Sequence, residues 1–392
     1  MATALAIAAL LTPQVPAIAL QARPASHRHV PGTGVLALDW GDLDETRHAA
    51  VGDYVVMQPW EWPRIPAFRR EHPGVRILMY KDASATADEP HDSGLYPTGV
   101  SYPDADAHHP DWFLTDDSGT RLEWADYPGL YPMDVGSSAY QEAWADHVLT
   151  ELRAHDWDGV MLDDTLTYLS HPTVDDRTSV QIPDDASMYD AMESFLAQVA
   201  PQLRSAGYLA IPNLTVEWDT WSTVLPDWSG YVSGWENEFF VKWGLDRQPR
   251  FEGADWEWKM RMAAWCAVRD LPLLAVTYSS QDDTAAELYH RATWLLTWNG
   301  RTGASIFVPD ESDADHWQHR ANLDLGKPAG PRSRLANGVY RRAYAGGLVV
   351  VNPTPDAQDV DLGGTYERLG GARVTEVRLA PTRALLLRRV GR

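Results

Sequence analysis

One cysteine, Cys266, stands in 392 residues, so no disulfide can form within the chain. It lies in the apolar segment Met262–Val268, where a small buried hydrophobe is the expected role. Basic residues are scarce: 33 Lys and Arg face 55 Asp and Glu, for a net charge of −22. Such a field disfavours nucleic acid and anionic membrane surfaces and leaves neutral or cationic ligands as partners. No Gly-rich dinucleotide turn follows the first apolar run, where Asp39-Trp40-Gly41-Asp42 stands instead, which argues against a doubly wound nucleotide-binding sheet. Histidine pairs at zinc-ligand spacing are lacking as well, because most of the 13 His lie in loops such as His108-His109. Internal repeats and low-complexity tracts are absent. Apolar stretches long enough to cross a membrane are absent too. The Ala-rich stretch Met1–Leu11 is too short for a span. With the small residues that follow it, it resembles the core of a secretory signal, although a basic front is missing. Residues 1–26 are therefore expected to be an export segment and the protein to be secreted or extracytoplasmic, with no membrane span in the mature chain.

What is present is a recurring pattern. Hydrophobic residues make up 44% of the chain, enough for a sizeable core. Eight short apolar runs succeed one another: Val35–Trp40, Tyr54–Gln58, Arg76–Lys81, Gly159–Asp163, Tyr208–Asn213, Tyr231–Glu238, Leu271–Tyr278 and Gly303–Val308. Unbroken runs, in place of alternation, indicate strands buried on both faces of a parallel sheet. Amphipathic segments lie between several of them, at Tyr140–Ala154, Met188–Ala206 and Ala285–Thr297. The pattern predicts an α/β fold, a (β/α)8 TIM barrel. The insert between the third and fourth runs, Asp82–Ser138, is expected to wall the mouth of the barrel. Gly326-Lys327-Pro328-Ala329-Gly330-Pro331 marks a boundary, and shorter β-type segments beyond it predict a small antiparallel β-sandwich. The expected division is residues 1–26, a catalytic barrel over 27–325 and the sandwich over 326–392.

Chemistry in such a barrel sits at the C-terminal ends of the strands. Two of the eight runs end in acids. Alternation along Trp157-Asp158-Gly159-Val160-Met161-Leu162-Asp163-Asp164 places Asp163 on the face of Met161, pointing into the mouth if Val160 and Leu162 face the helices. The sixth run puts Glu236 and Glu238 on one face, with Gly234 below leaving room inside the barrel. Two carboxyls across one mouth are the minimum for cleaving a glycosidic bond. Asp163 is read as nucleophile or charge stabiliser and Glu236 as general acid/base, with Glu238 its main rival. Substrate contacts are expected from other strand ends: Asp39, Trp40, Gln58, Trp60, Lys81, Asn213 and Tyr278, with Asp164 beyond Asp163 and Trp235 beside Glu236. Lys81, if close to Asp163, would depress its pKa. Asp134 either shapes the mouth or caps the helix announced by Ser137-Ser138. The 18 tryptophans, many beside polar residues, suit sugar rings, with apolar faces and polar edges. No cofactor or metal is expected.

The segments YPMDVGSSAYQEAW, WDGVMLDDTLTYL, AIPNLTVEWDTW and GWENEFFVKW resemble hypothetical glycosyl hydrolase-like family 15. That family is similar in plan to barrel enzymes that cleave galactosaminogalactan-type and α-galactosidic polymers. The resemblance covers about residues 35–310. It implies a TIM-barrel glycosidase acting on a polysaccharide or oligosaccharide, with Asp163 as the first acid and Glu236 or Glu238 as the second. Two other readings remain open on the residues: a non-catalytic carbohydrate-binding barrel, and a metal-dependent barrel hydrolase using Asp163, Asp164, Glu236 and Glu238 as oxygen ligands.

Overall fold

The computed structural model describes residues 29–36, 52–242, 244, 249–280, 282–309, 321 and 323–390. The apolar N-terminal stretch, Asp39 and Trp40 lie outside the described residues. The described residues open with β1 (Gly34–Leu36), β2 (Tyr54–Met57), α1 (Ile65–Glu71) and β3 (Arg76–Asp82). The insert holds β4 (Ala85–Ala87), α2 (Tyr102–His108) and β5 (Leu130–Pro132). Then come α3 (Ser138–Ala154), β6 (Gly159–Thr165), α4 (Asp185–Ser205), β7 (Leu209–Leu214) and α5 (Trp221–Trp228). β8 (Trp235–Asn237), α6 (Gly253–Val268), β9 (Leu273–Ser279), α7 (Thr284–Leu295) and β10 (Ala304–Pro309) complete the repeat.

The strands β1-β2-β3-β6-β7-β8-β9-β10 form one eight-stranded sheet, parallel throughout. A parallel bridge between Thr33 and Ser305 joins its two edges, closing the predicted (β/α)8 barrel. Both strand faces are buried, as the unbroken apolar runs require. Tyr54, Val56, Leu78, Met161, Ile211, Leu274, Val276 and Ile306 fill the interior. Val55, Ile77, Met79, Val160, Leu162 and Ala275 pack outward under the helices. Helix α3 shows why: Tyr140, Trp144, Val148 and Leu152 recur at four-residue spacing and are all fully buried. The sixth predicted run is mostly not strand, because only Trp235–Asn237 pairs. Gly234 opens no room inside; a Cβ there would lie 2.7 Å from the Pro272 carbonyl oxygen, so the glycine admits a neighbouring chain.

The C-terminal strands are β11 (Ser333–Arg334), β12 (Tyr340–Tyr344), β13 (Gly347–Asn352), β14 (Gln358–Glu367), β15 (Arg373–Leu379) and β16 (Arg383–Arg389). They run antiparallel in the order β11-β12-β13-β16-β14-β15. β14 meets β16 only at Tyr366 and Glu367, beyond a register shift after Asp361. The sheet turns there, and Val360, Leu362, Val377 and Leu379 close over Leu348, Val350 and Leu387 as a small sandwich. On the other side, Val349, Val351, Ala384 and Leu386 join the core shared with the barrel helices. Cys266 is buried and free. No helix among the described residues is long and apolar enough to cross a membrane.

Candidate active site

Gly159 determines how closely β6 can start against β7. A Cβ there would lie 2.2 Å from the Leu209 carbonyl oxygen. From that start, alternation carries Met161 and then Asp163 to the inner face. The register of β6 on β7 shifts between Leu162 and Thr165. Asp164 sits in this irregularity with φ 49°, a left-handed conformation that Asp tolerates better than most residues. Such a bulge re-aims side chains, so two consecutive carboxylates reach the same mouth.

Asp163 is half-buried and accepts three hydrogen bonds. The Tyr80 hydroxyl donates to Oδ2 at 2.5 Å, the Asn213 amide to Oδ1 at 2.9 Å and the Asp164 N–H to Oδ1 at 2.9 Å. These favour the carboxylate, but burial and then the adjacent Asp164 charge outweigh them and push its pKa up to about 6. Glu238 lies just beyond the end of β8 and is also half-buried. It accepts from the Tyr278 hydroxyl at 2.5 Å. Burial, and after it the charge of Asp163, pushes its pKa up to about 8.

Glu236 shares that face but lies deeper. It is wholly buried at the register of Asn213 and Leu274, and neither carboxyl oxygen has a hydrogen-bond partner among the described residues. Burial, then Glu238 and Asp163, raise its pKa well above the ordinary range, so it sits as a neutral acid. The first-choice assignment of the acid/base role to Glu236 thus meets a residue without solvent access, whereas its rival Glu238 keeps some.

Tyr80, Tyr127 and His171 were not among the expected site residues. His171 Nε2 is 3.1 Å from Asp164 Oδ1, and its pKa is raised; burial opposes the rise and Asp164 drives it. Tyr127, half exposed, comes from the insert and stands edge-on to His171 at 5.4 Å. Burial, then Asp164 and Asp163, pushes its pKa up to about 12. Asp82 pairs with Asp163 across β3 and β6 and takes the N–H groups of Ser84 and Ala85. Tyr80 was findable by alternation, since it shares the inner face of Leu78. Tyr127 and His171 sit on loops, where no periodicity points to them.

Asp163, Asp164, Asn213, Glu236, Glu238 and Tyr278 are therefore brought together. Four expected contacts are elsewhere, and a fifth, Gln58, follows the inward-facing Tyr54 and Val56 at the end of β2. Lys81 points outward, where its ammonium donates to Glu151 on α3 at 2.8 Å and to the carbonyls of Tyr96 and Thr98. It does not act on Asp163. Gln58 is buried, and its N–H goes to Glu61 at 3.0 Å. Trp60 is buried and stacks on His91 at 4.2 Å. Trp235 faces outward with its indole N–H on Ser229. The Asp134 carboxyl takes the Gly136 N–H at 3.0 Å, a turn leading into α3, whose N-cap is Ser137. Trp124, Trp144, Trp228, Trp256 and Trp294 are core residues, while Trp62 and Trp218 are exposed. Among the described residues no three His, Cys, Asp or Glu side chains are arranged to hold a metal ion.

The site thus holds two partly exposed carboxyls, with environments that push their pKa values apart. One is ionised above about 6 and the other protonated below about 8. A split of this kind is what a base and an acid sharing one mouth require.

The family model described as hypothetical glycosyl hydrolase family 15 matches residues 69–348. No curated protein matches the chain. Among solved structures, a family GH13_31 enzyme is 10% identical, with a TM-score of 0.53 over 93% of this chain and 99% of that one. That likeness shows the fold alone. The glycoside hydrolase domain of PelA from Pseudomonas aeruginosa is 15% identical, with a TM-score of 0.49 over 72% of this chain and 97% of that one. Ega3 from Aspergillus fumigatus, solved in complex with galactosamine, is 12% identical, with a TM-score of 0.41 over 76% and 96%.

Proposed function

The chain belongs to hypothetical glycosyl hydrolase family 15, and from that premise we propose that it cleaves O-glycosidic bonds of a polysaccharide or oligosaccharide with Asp163 as nucleophile and Glu238 as general acid/base. The observation that carries this is the split between the two carboxyls, about 6 against about 8, at groups that keep partial exposure at the mouth. At neutral pH, Asp163 is the anion and Glu238 holds the proton a leaving oxygen needs. Glu236 lies below them as a neutral acid without contact to solvent and takes no part in proton transfer to substrate.

With Asp163 as nucleophile, the proposed reaction is retaining. A glycosyl–Asp163 ester forms as Glu238 protonates the departing oxygen. Glu238 then takes a proton from the water that hydrolyses the ester.

A panel of galactosaminogalactans, α-galactans, α-glucans and arabinans tests this, with released oligosaccharides read by mass spectrometry. Release by the wild type and none by Asp163→Asn is the expected result. Equal release by both proteins would sink the assignment.

A further inference from the structure

The face of the barrel where β6 and β7 end carries a cavity of about 510 Å³. It lies between the loops that follow β6 and β7. Tyr168, Tyr189, Glu217, Asp219 and Thr220 are among its lining residues. The Tyr168 hydroxyl donates to Glu217 Oε1 at 3.0 Å, and the Thr220 hydroxyl accepts the Glu217 N–H at 2.9 Å, so the wall is held in place. Trp218, between two lining residues, is 67% exposed, the most solvent-open tryptophan described.

We propose that this cavity is a distal subsite for a sugar unit of the same chain that is cut at Asp163, and that it takes hydroxyl-rich units and rejects uronic acids. The proposal rests on the hydrolase reading above. Connectivity limits the span. Tyr168 is five residues past Asp163, so its Cα lies at most about 18 Å from that of Asp163. Glu217 is four past Asn213, at most about 14 Å from it. A short run of sugar units bridges such distances. The chemistry of the wall suits a sugar: two tyrosine rings offer apolar faces, the Glu217 and Asp219 carboxylates accept from hydroxyls, and the exposed Trp218 indole stands at the rim between those two residues. No Lys or Arg lines the cavity. A carboxylated sugar there would meet like charge with no counter-ion.

Native gels cast with each neutral polysaccharide of the panel, or with polygalacturonate, test the proposal. The proteins run are Asp163→Asn, to prevent turnover, and the same protein with Trp218→Ala or Glu217→Gln added. Trp218 is exposed, so its replacement leaves the fold intact. The expected result is retardation of Asp163→Asn by at least one neutral polysaccharide and none by polygalacturonate. Trp218→Ala should weaken that retardation about fivefold, and in the active enzyme it should raise KM with kcat unchanged. Equal retardation with and without Trp218→Ala, retardation by polygalacturonate, or none in any gel overturns the subsite. Retardation that depends on Trp218 in a protein that hydrolyses nothing overturns the hydrolase reading instead. Hydrolysis unaffected by Trp218→Ala overturns the subsite and leaves the hydrolase.

Discussion

At the mouth of the barrel, Asp163, Asp164, Glu236 and Glu238 crowd together, and among the described residues no lysine or arginine bonds any of them. Where the C-terminal sandwich meets α7, the polar groups are matched instead. Arg342 donates to the carbonyls of Leu295 and Trp298 at 2.9 and 2.7 Å, and the Tyr344 hydroxyl reaches Leu295 at 2.5 Å. The Leu295 carbonyl is one that α7 leaves unpaired at its C-terminal end, Trp298 follows just beyond, and a cation is the group the helix dipole favours there. Around them Val349, Val351 and Leu386 bury apolar surface against the barrel core. In one region burial and then mutual repulsion raise the pKa values, and in the other helix-end carbonyls meet their donors. The contrast teaches where selection has acted for chemistry and where for cohesion.

Four substitutions or titrations sharpen it. Asp163→Asn or Glu238→Gln should lower kcat by roughly 10²–10⁴ while leaving the melting temperature at neutral pH intact or higher. A fall in both together would mean that the mouth is structural. Arg342→Ala should do the reverse. It strands the Trp298 carbonyl and takes one of two donors from Leu295, which should cost roughly 1–3 kcal/mol, read by denaturant unfolding, with kcat unchanged on the folded protein. The pH dependence of kcat/KM should be bell-shaped. Rate rises as Asp163 ionises through about 6 and falls as Glu238 loses its proton through about 8. These values belong to the coupled pair. A profile flat across that interval contradicts the assignment.

The smallest effect concerns stability. Both acids hold their protons more tightly in the folded chain than in the unfolded one, where carboxyls titrate near about 4. The folded chain therefore binds more protons between that value and about 8, so stability is greatest below the interval and is lost as pH rises through it. Glu238→Gln should flatten this decline, by a few degrees in melting temperature between acid and alkaline buffers. An unchanged slope would show that the carboxyl is not strained by its surroundings.

The barrel was legible because burial on both faces leaves unbroken apolar runs, and the orientation of Asp163 followed from alternation with Met161. The same rule applied to β3 finds Tyr80 from Leu78. The charge of Lys81 drew attention to the outward residue, which serves Glu151 on α3. Depth was not legible along β8. The apolar run suggested eight paired residues where three pair, so Glu236 seemed to stand at the strand end that Glu238 lies beyond. Trp60 and Trp235 resemble sugar platforms by their polar neighbours, yet His91 and Ser229 are their partners. Tyr127 and His171 meet Asp164 only through the folding of two loops, and local sequence carries no mark of that meeting.

The central claim is that Glu238, and not Glu236, transfers the proton. Steady-state kinetics of Glu236→Gln and Glu238→Gln on one hydrolysed glycan test it directly. A glutamine in place of a buried neutral acid keeps its shape and charge, so Glu236→Gln should retain activity within about tenfold, while Glu238→Gln loses roughly 10²–10⁴ together with the alkaline limb of the pH profile. Loss of that limb in Glu236→Gln, with Glu238→Gln still active, would contradict the account.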